Sequence, residues 1–319
     1  MKNGKHILIT GGAGFIGAHL VERLLKDGKS IVVIDDLSTG SRDNLRAVAQ
    51  RKNFRFIQTK ISAYAELPEL AANSEFIFHL AATVGVELVV KSALHVLEAS
   101  FNETQILLRA AAKNSTPILL TSTSEVYGKS AKPEFSEDDD LLIGPPGQSR
   151  WSYACSKLTD EFLALAYARE RNLPVTIARL FNTVGPRQTG RYGMVLPRFI
   201  SAAKNNEPLK VFGDGAQSRC FCLVHDVVEA LVRLQKSDAA RGEIFNIGGT
   251  EEISILELAE LVVATLGSKS AIELIPYDQA YAPGFDDMRR RKPLVEKLER
   301  CVNFKPQTTL REIIRLTAG

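Results

Sequence analysis

Apolar residues follow two alternating rhythms along this chain. Short runs without a polar face (HILIT from His6, SIVVID from Ser30, FIFHLAA from Phe76, PILLTST from Pro117, VTIARL from Val175) are separated by longer stretches with helical spacing. The helical stretches run from Ile16 to Lys26, from Asn102 to Lys113, and through the segment that carries Tyr153 and Lys157. Strands that are apolar on both faces belong to parallel sheets covered by helices on both sides. The pattern therefore predicts an α/β fold, a doubly wound parallel sheet, over residues 1–180. Beyond residue 180 the rhythm loosens into Gly- and Pro-containing segments (VGPRQTGRYG, VFGDGAQSR, YAPGFDD), with one clear helical stretch from Ile255 to Leu266. That part, 181–319, is expected to form a smaller α/β lobe that closes over a ligand, with some segments interleaved with the first domain.

Composition narrows the class. The chain has 319 residues, 45% hydrophobic and 24% charged, as expected of a soluble globular protein with one large core or two modest ones. No tract is long enough to cross a membrane, and a strand-like run begins almost at once with no signal peptide before it, so a cytoplasmic protein is expected. A net charge of +3 is too weak to imply nucleic acid. Cys155, Cys220, Cys222 and Cys301 lack the paired spacing of a zinc site. We expect reduced structural thiols and no metal.

Chemistry enters with TGGAGFIG, where Gly11, Gly14 and Gly17 follow a strand and open a helix. Glycines at that junction allow a tight turn, close backbone approach to a pyrophosphate and close packing of helix on strand. The phosphates are expected at the helix N-terminus, where free N–H groups and the helix dipole favour anions. Asp35 ends the next strand. A carboxylate there accepts hydrogen bonds from a ribose diol and repels a 2′-phosphate, which favours NAD over NADP. A second signal is the hydroxyl-rich strand end LLTSTSEVYG, which supplies Thr123, Ser124 and Glu125 to the crevice beyond the sheet's carboxyl edge. The third is SRWSYACSKL, where Tyr153 and Lys157 lie four apart and share a helix face. An ammonium beside a phenol favours the phenolate, so Lys157 is expected to lower the pKa of Tyr153.

Taken together, TGGAGFIG, Asp35, FHLAA, Thr123 and the Tyr153–Lys157 pair resemble the extended short-chain dehydrogenase/reductase family, and within it the nucleotide-sugar epimerases, dehydratases and decarboxylases. The resemblance spans nearly the whole chain. It implies that Tyr153 is the acid/base, that Lys157 holds the nicotinamide ribose, and that Thr123 hydrogen-bonds the reacting sugar hydroxyl. It implies a cofactor shell of Gly11, Gly14, Phe15, Ile16 and Gly17 around the phosphates. Asp35, Asp36, Ile61, Leu80, Ala81, Ala82 and Asn102 complete the implied cofactor shell. For a UDP-sugar it implies Asn182, Arg219 and Arg289 or a neighbouring arginine on the diphosphate, Phe212 near uracil, and Leu196 and Ser124 lining the substrate. A homodimer built on the helices from Asn102 and Ser152 is also implied.

The departures matter. Ser124 replaces the first of the two acids of the 4,6-dehydratases, which argues against dehydration. Glu125 is kept, and with GFDDMRRRKP it resembles UDP-glucuronate decarboxylases, in which Arg291 aligns with a catalytic arginine. GPRQTGRYGMVLPRF instead resembles epimerases, and its Arg191 could pair with a C6 carboxylate. Lys60 stands where an aspartate usually holds the adenine amino group. The expectation is an NAD-dependent UDP-sugar 4-epimerase converting UDP-glucuronate to UDP-galacturonate through a 4-keto intermediate. A UDP-glucuronate decarboxylase, forming UDP-xylose or a UDP-4-keto-pentose, is the alternative. A 4,6-dehydratase and a non-catalytic NAD-binding protein rank behind both.

Overall fold

The computed structural model describes residues 5–82, 93–190, 194–276 and 288–319. Its centre is a seven-stranded parallel sheet. Strands β1 (His6–Thr10), β2 (Ile31–Asp35) and β3 (Phe54–Gln58) run outward to one edge. Strands β4 (Ser74–His79), β5 (Ile118–Thr123), β6 (Val175–Leu180) and β11 (Ile244–Ile247) run to the other. The strand order reverses between β1 and β4, and in such sheets the crevice beyond that reversal binds ligands.

Helices cover both faces. On one, α1 (Phe15–Lys26) and α6 (Val224–Lys236) bury Leu20, Leu24, Val228 and Leu231 against Ile7, Ile9 and Val33. On the other, α2 (Leu67–Ala72), α3 (Ala93–Ala112) and α4 (Trp151–Arg171) enclose Leu107, Leu108, Ala111 and Ala164 with Leu8, Ile77 and Leu120. This is why β1 and β2 read as unbroken apolar runs: all five residues of each are buried. Edge strand β3 has no fully buried residue and exposes Arg55 and Gln58, so it does not stand out in the sequence. Strand β11 and helix α6, both beyond residue 180, pack into the main sheet.

The rest of the C-terminal part has its own core. Helices α5 (Val195–Asn205), α7 (Ile255–Leu266) and α9 (Leu310–Ala318) pack Leu196, Phe199, Leu258 and Ile313 over β8 (Leu209–Phe212). A parallel pairing of β8 with β13 (Ile272–Ile275) and an antiparallel pairing of β9 (Ser218–Cys220) with β12 (Glu252–Ser254) complete it. Helix α7 starts at a capping box between Ser254 and Glu257 and ends on Gly267 in the left-handed region, which is why its limits were legible as Ile255 to Leu266. Among the described residues no helix is long and apolar enough to cross a membrane. All four cysteines are free thiols, with Cys220 and Cys222 buried.

Candidate active site

The glycine turn sits where β1 delivers it, at the strand reversal. Gly11 has φ +73°, and a Cβ there would lie 2.5 Å from the amide nitrogen of Ala81. A Cβ on Gly17 would lie 2.2 Å from the carbonyl oxygen of Gly11. Neither position admits a side chain, so backbone is left bare at the start of α1. That helix begins on Gly14 with no side chain capping its amides, which leaves N–H groups available to an anion. Asp35 is nearly buried, and its carboxylate accepts the amides of Ala13 at 2.9 Å and Leu37 at 2.8 Å. Burial pushes its pKa up while those two amides pull it back. These features fit the pyrophosphate and adenosine ribose of a dinucleotide. Phe15, Ile16, Leu80, Ala81 and Ala82 are partly exposed around the turn, and Asp36, which accepts the amide of Ser38, is partly exposed beside Asp35. Ile61, by contrast, is buried in the sheet core.

The chemical end of the site is built on the carboxyl end of β5 and the first two turns of α4. Thr123 ends β5 and caps a 3₁₀ turn, accepting the amide of Glu125 at 3.2 Å. The same threonine hydrogen-bonds the half-buried Tyr153 phenol. Lys157 follows one turn later and is 2% exposed. Its ammonium is shared with Asp160 in an ion pair of 3.1 Å. Burial pushes the phenol's pKa well above its usual value, the charges of Glu125 and Asp160 add to that, and the Thr123 hydrogen bond and Arg291 oppose it.

Asn102 does not join this group. It lies exposed on α3, whereas Ser100 on the same helix is buried and donates to Asp160 Oδ2 at 2.8 Å. One turn further along, Thr104 meets His79 Nε2 at 3.1 Å, and Thr10 holds His79 Nδ1 at 2.7 Å. Burial, and then the charge of Lys157, push the His79 pKa down to about 3, so the ring is neutral. Ser100, Thr104, His79 and Asp160 are the residues that sequence reasoning missed. The available signals were two hydroxyls at i,i+4 on one helix and an acid at i+3 from the lysine.

Opposite them lies the segment 288–294. Backbone bonds fix its course: Ser218 N donates to Arg289 O at 2.9 Å, Phe135 N to Lys292 O at 2.8 Å, and Leu294 N to Phe135 O at 2.9 Å. Its three consecutive arginines separate in space. Arg289 is exposed, Arg290 pairs with Glu252 at the surface, and Arg291 turns inward. Arg291 Nη1 lies 3.3 Å from Glu125 Oε1 and 3.5 Å from Ser124 Oγ, while its Nε is buried with no partner among the described residues. Met288 packs against Tyr127, Trp151 and Phe181 beneath the site.

The remaining sugar-side residues are in the second lobe. Asn182 donates to Cys220 O at 2.9 Å, and Arg219 is largely buried with its Nη1 on Ser218 O at 2.7 Å. The Phe212 ring lies under the Arg198 guanidinium at 5.1 Å. Leu196 is fully buried in the lobe's core, so its side chain packs rather than lines a cleft. Lys60 is exposed. Arg191 lies outside the described residues.

A strand-reversal glycine turn joined to a Thr–Tyr–Lys constellation invites comparison with known proteins. Residues 7–248 match the family model described as the NAD dependent epimerase/dehydratase family. The chain belongs to that family. Its relatives include a UDP-N-acetyl-alpha-D-glucosaminuronate decarboxylase of Bacillus cytotoxicus, 40% identical over 98% of this chain and 96% of the relative. UDP-glucuronic acid decarboxylase 2 of Arabidopsis thaliana is 33% identical over 98% of this chain and 67% of the relative. Among solved structures, a UDP-glucuronic acid 4-epimerase of Bacillus cereus, in complex with UDP-glucuronic acid and NAD, has a TM-score of 0.87 at 28% identity, covering 98% of both chains. The protein is thus an NAD-dependent enzyme of the nucleotide-sugar epimerase/dehydratase family with a Rossmann-like fold.

Proposed function

We propose that this family member is a decarboxylase of UDP-hexuronates, acting on UDP-glucuronate or its 2-acetamido counterpart. The observation that carries the reading is Arg291, held against Glu125 and Ser124 one residue beyond Thr123, with its Nε still unpartnered. A guanidinium with unused donors suits a C6 carboxylate. The names of the relatives support the same choice and move it ahead of the 4-epimerase expected from sequence.

Bound NAD supplies the two-electron acceptor for oxidation at the sugar C4. Thr123 and Tyr153 hold the C4 hydroxyl between them, and Tyr153 in its ionised, phenolate form takes the hydroxyl proton as the ketone forms. The product is a β-keto acid. When Arg291 and Glu125 turn the carboxylate out of the ring plane, the C5–C6 bond aligns with the carbonyl π-system, CO₂ leaves, and its electron pair passes into a C4–C5 enolate. An acid of the site then protonates C5. Ser124 offers no proton for a leaving 6-hydroxyl, so dehydration is disfavoured.

A second copy of the chain is proposed to cover α3 and α4. Leu94, Leu97 and Phe101 share one face of α3 and are exposed, Leu94 by 70%, and Phe162 on α4 is 64% exposed.

The test is a proton NMR time course with NAD and each of the two UDP-uronates, read together with product mass. Loss of one CO₂ per turnover is expected, and none with Tyr153→Phe. A C4-epimeric anomeric signal at unchanged mass would overturn the decarboxylase in favour of the epimerase, the second reading that the solved UDP-glucuronic acid epimerase supports.

A further inference from the structure

Between α3 and α4 the ammonium of Lys157 has a counter-ion that proton transfer by Tyr153 does not itself require. The Lys157 and Asp160 side chains are 2% and 0% exposed and lie 3.1 Å apart. The same carboxylate oxygen, Oδ2, also receives the Ser100 hydroxyl at 2.8 Å, so α3 anchors the acid and the acid anchors the lysine. Asp160 Oδ1 is buried with no partner among the described residues. An ionised carboxylate kept out of water and only half satisfied is costly, and the ion pair does not complete its hydrogen bonding.

Other groups also face the phenol and the ammonium. From β4, His79 faces Lys157 as a neutral ring, each nitrogen on a threonine hydroxyl, and contributes no charge. From the 3₁₀ turn and the segment 288–294, Glu125 and Arg291 face Tyr153 and pair with each other at 3.3 Å, Glu125 raising the phenol's pKa more than Arg291 lowers it. Tyr153, Lys157 and Asp160 lie at i, i+4 and i+7 of α4, on one face. Within α4 itself, the charge that the phenol meets is therefore shared between the ammonium and one acid.

We propose that Asp160 is a positioning residue that, anchored by Ser100, fixes the Lys157 ammonium in place and withholds part of its charge from the Tyr153 phenol, so setting the pH at which Tyr153 accepts a proton. The inference rests on the acid/base reading of Tyr153. Its sign is definite. Asp160→Asn removes a like charge from the phenolate and leaves the ammonium unshared, and both effects favour ionised Tyr153.

Two readouts separate this from a packing role. The first is an ultraviolet difference titration of the phenol, taken as full chain minus its Tyr153→Phe counterpart, with and without Asp160→Asn; it needs no substrate. The second is the acid limb of kcat/KM for UDP-glucuronate, with the NAD dissociation constant measured by tryptophan fluorescence. In Asp160→Asn both the titration and the acid limb should move down by about one pH unit or more, and NAD affinity should fall several-fold as Lys157 loses its tether. Ser100→Ala, which keeps the charge but removes the anchor, should weaken NAD binding and leave the phenol titration near wild type. Should Asp160→Asn not fold, a Ser100→Ala phenol titration displaced as far as its NAD affinity would overturn the division of roles. A soluble Asp160→Asn protein whose phenol titrates where the wild type does overturns the proposal while leaving the acid/base assignment intact. Turnover surviving in Tyr153→Phe overturns both.

Discussion

A phenol and an ammonium four residues apart are easy to find in a sequence and easy to misjudge. The pair Tyr153–Lys157 was legible from helical spacing, and so was the strand end with Thr123. The charge on the pair was not, because its counter-ion is fixed by Ser100, 60 residues upstream in sequence on a different helix. Asn102 was implied by the family resemblance, yet it is exposed while Ser100 on the same helix is buried. Behind the pair, His79 carries a consequence for pH. Its pKa falls to about 3 in the folded protein, by burial first, against 6.5 for the unfolded chain. Above pH 6.5 the ring is neutral in both states and costs nothing. Between there and about 3 only the unfolded state takes up the proton, so stability drops as pH falls. His19, pushed down to about 4 chiefly by burial, acts in the same direction. We expect denaturant midpoints to decline from pH 6.5 towards 4. His79→Gln should flatten that decline by about 1.4 kcal/mol per pH unit; an unchanged slope would mean that the ring is not held neutral.

At the scale of elements, the strands that read clearly were those buried on both faces, while β3 and β11 were silent. Strand β11 is four residues long and interrupted by Asn246, which looks like a turn former. In the fold Asn246 is fully buried, accepting the Tyr127 hydroxyl at 2.7 Å and donating to Phe135 O at 2.9 Å. The same polar seam holds Arg179 of β6, which donates to Glu161 of α4 at 2.8 Å and to Tyr127 at 3.0 Å, tying sheet to helix behind the catalytic turn. Such a network has no local signature, since its members come from β6, α4, β11 and the turn after β5. Breaking it from one side should be severe. Arg179→Met strands a buried Glu161 and is expected to cost about 3–5 kcal/mol, whereas adding Glu161→Leu should recover a large part of that loss. Chemical denaturation of the single and double variants checks this, and equal losses in both would show that the charges themselves matter little.

For the whole molecule, the two rhythms of the sequence gave the layers correctly, because parallel strands and amphipathic helices impose them directly. The looser C-terminal pattern yielded less, as short strands such as β7 (Thr183–Val184) and β10 (Cys222–Leu223) are set by partners far along the chain. The exposed apolar face of α3 and α4 belongs to this scale too. Phe162→Asp should convert a dimer to a monomer by light scattering with little change in the far-ultraviolet spectrum; an unaltered mass would place the second copy elsewhere or nowhere. The segment that presents Arg291 has a different kind of significance. Its path is held by main-chain bonds to Ser218 and Phe135, which are indifferent to the side chains it displays. Thr123 and Tyr153, on β5 and α4, share none of those bonds. On the proposed reading, a lineage that exchanged the side chain at position 291 would alter what meets the sugar's carboxylate without redrawing the backbone that presents it, which gives a fold of this kind a short mutational path between one sugar product and another.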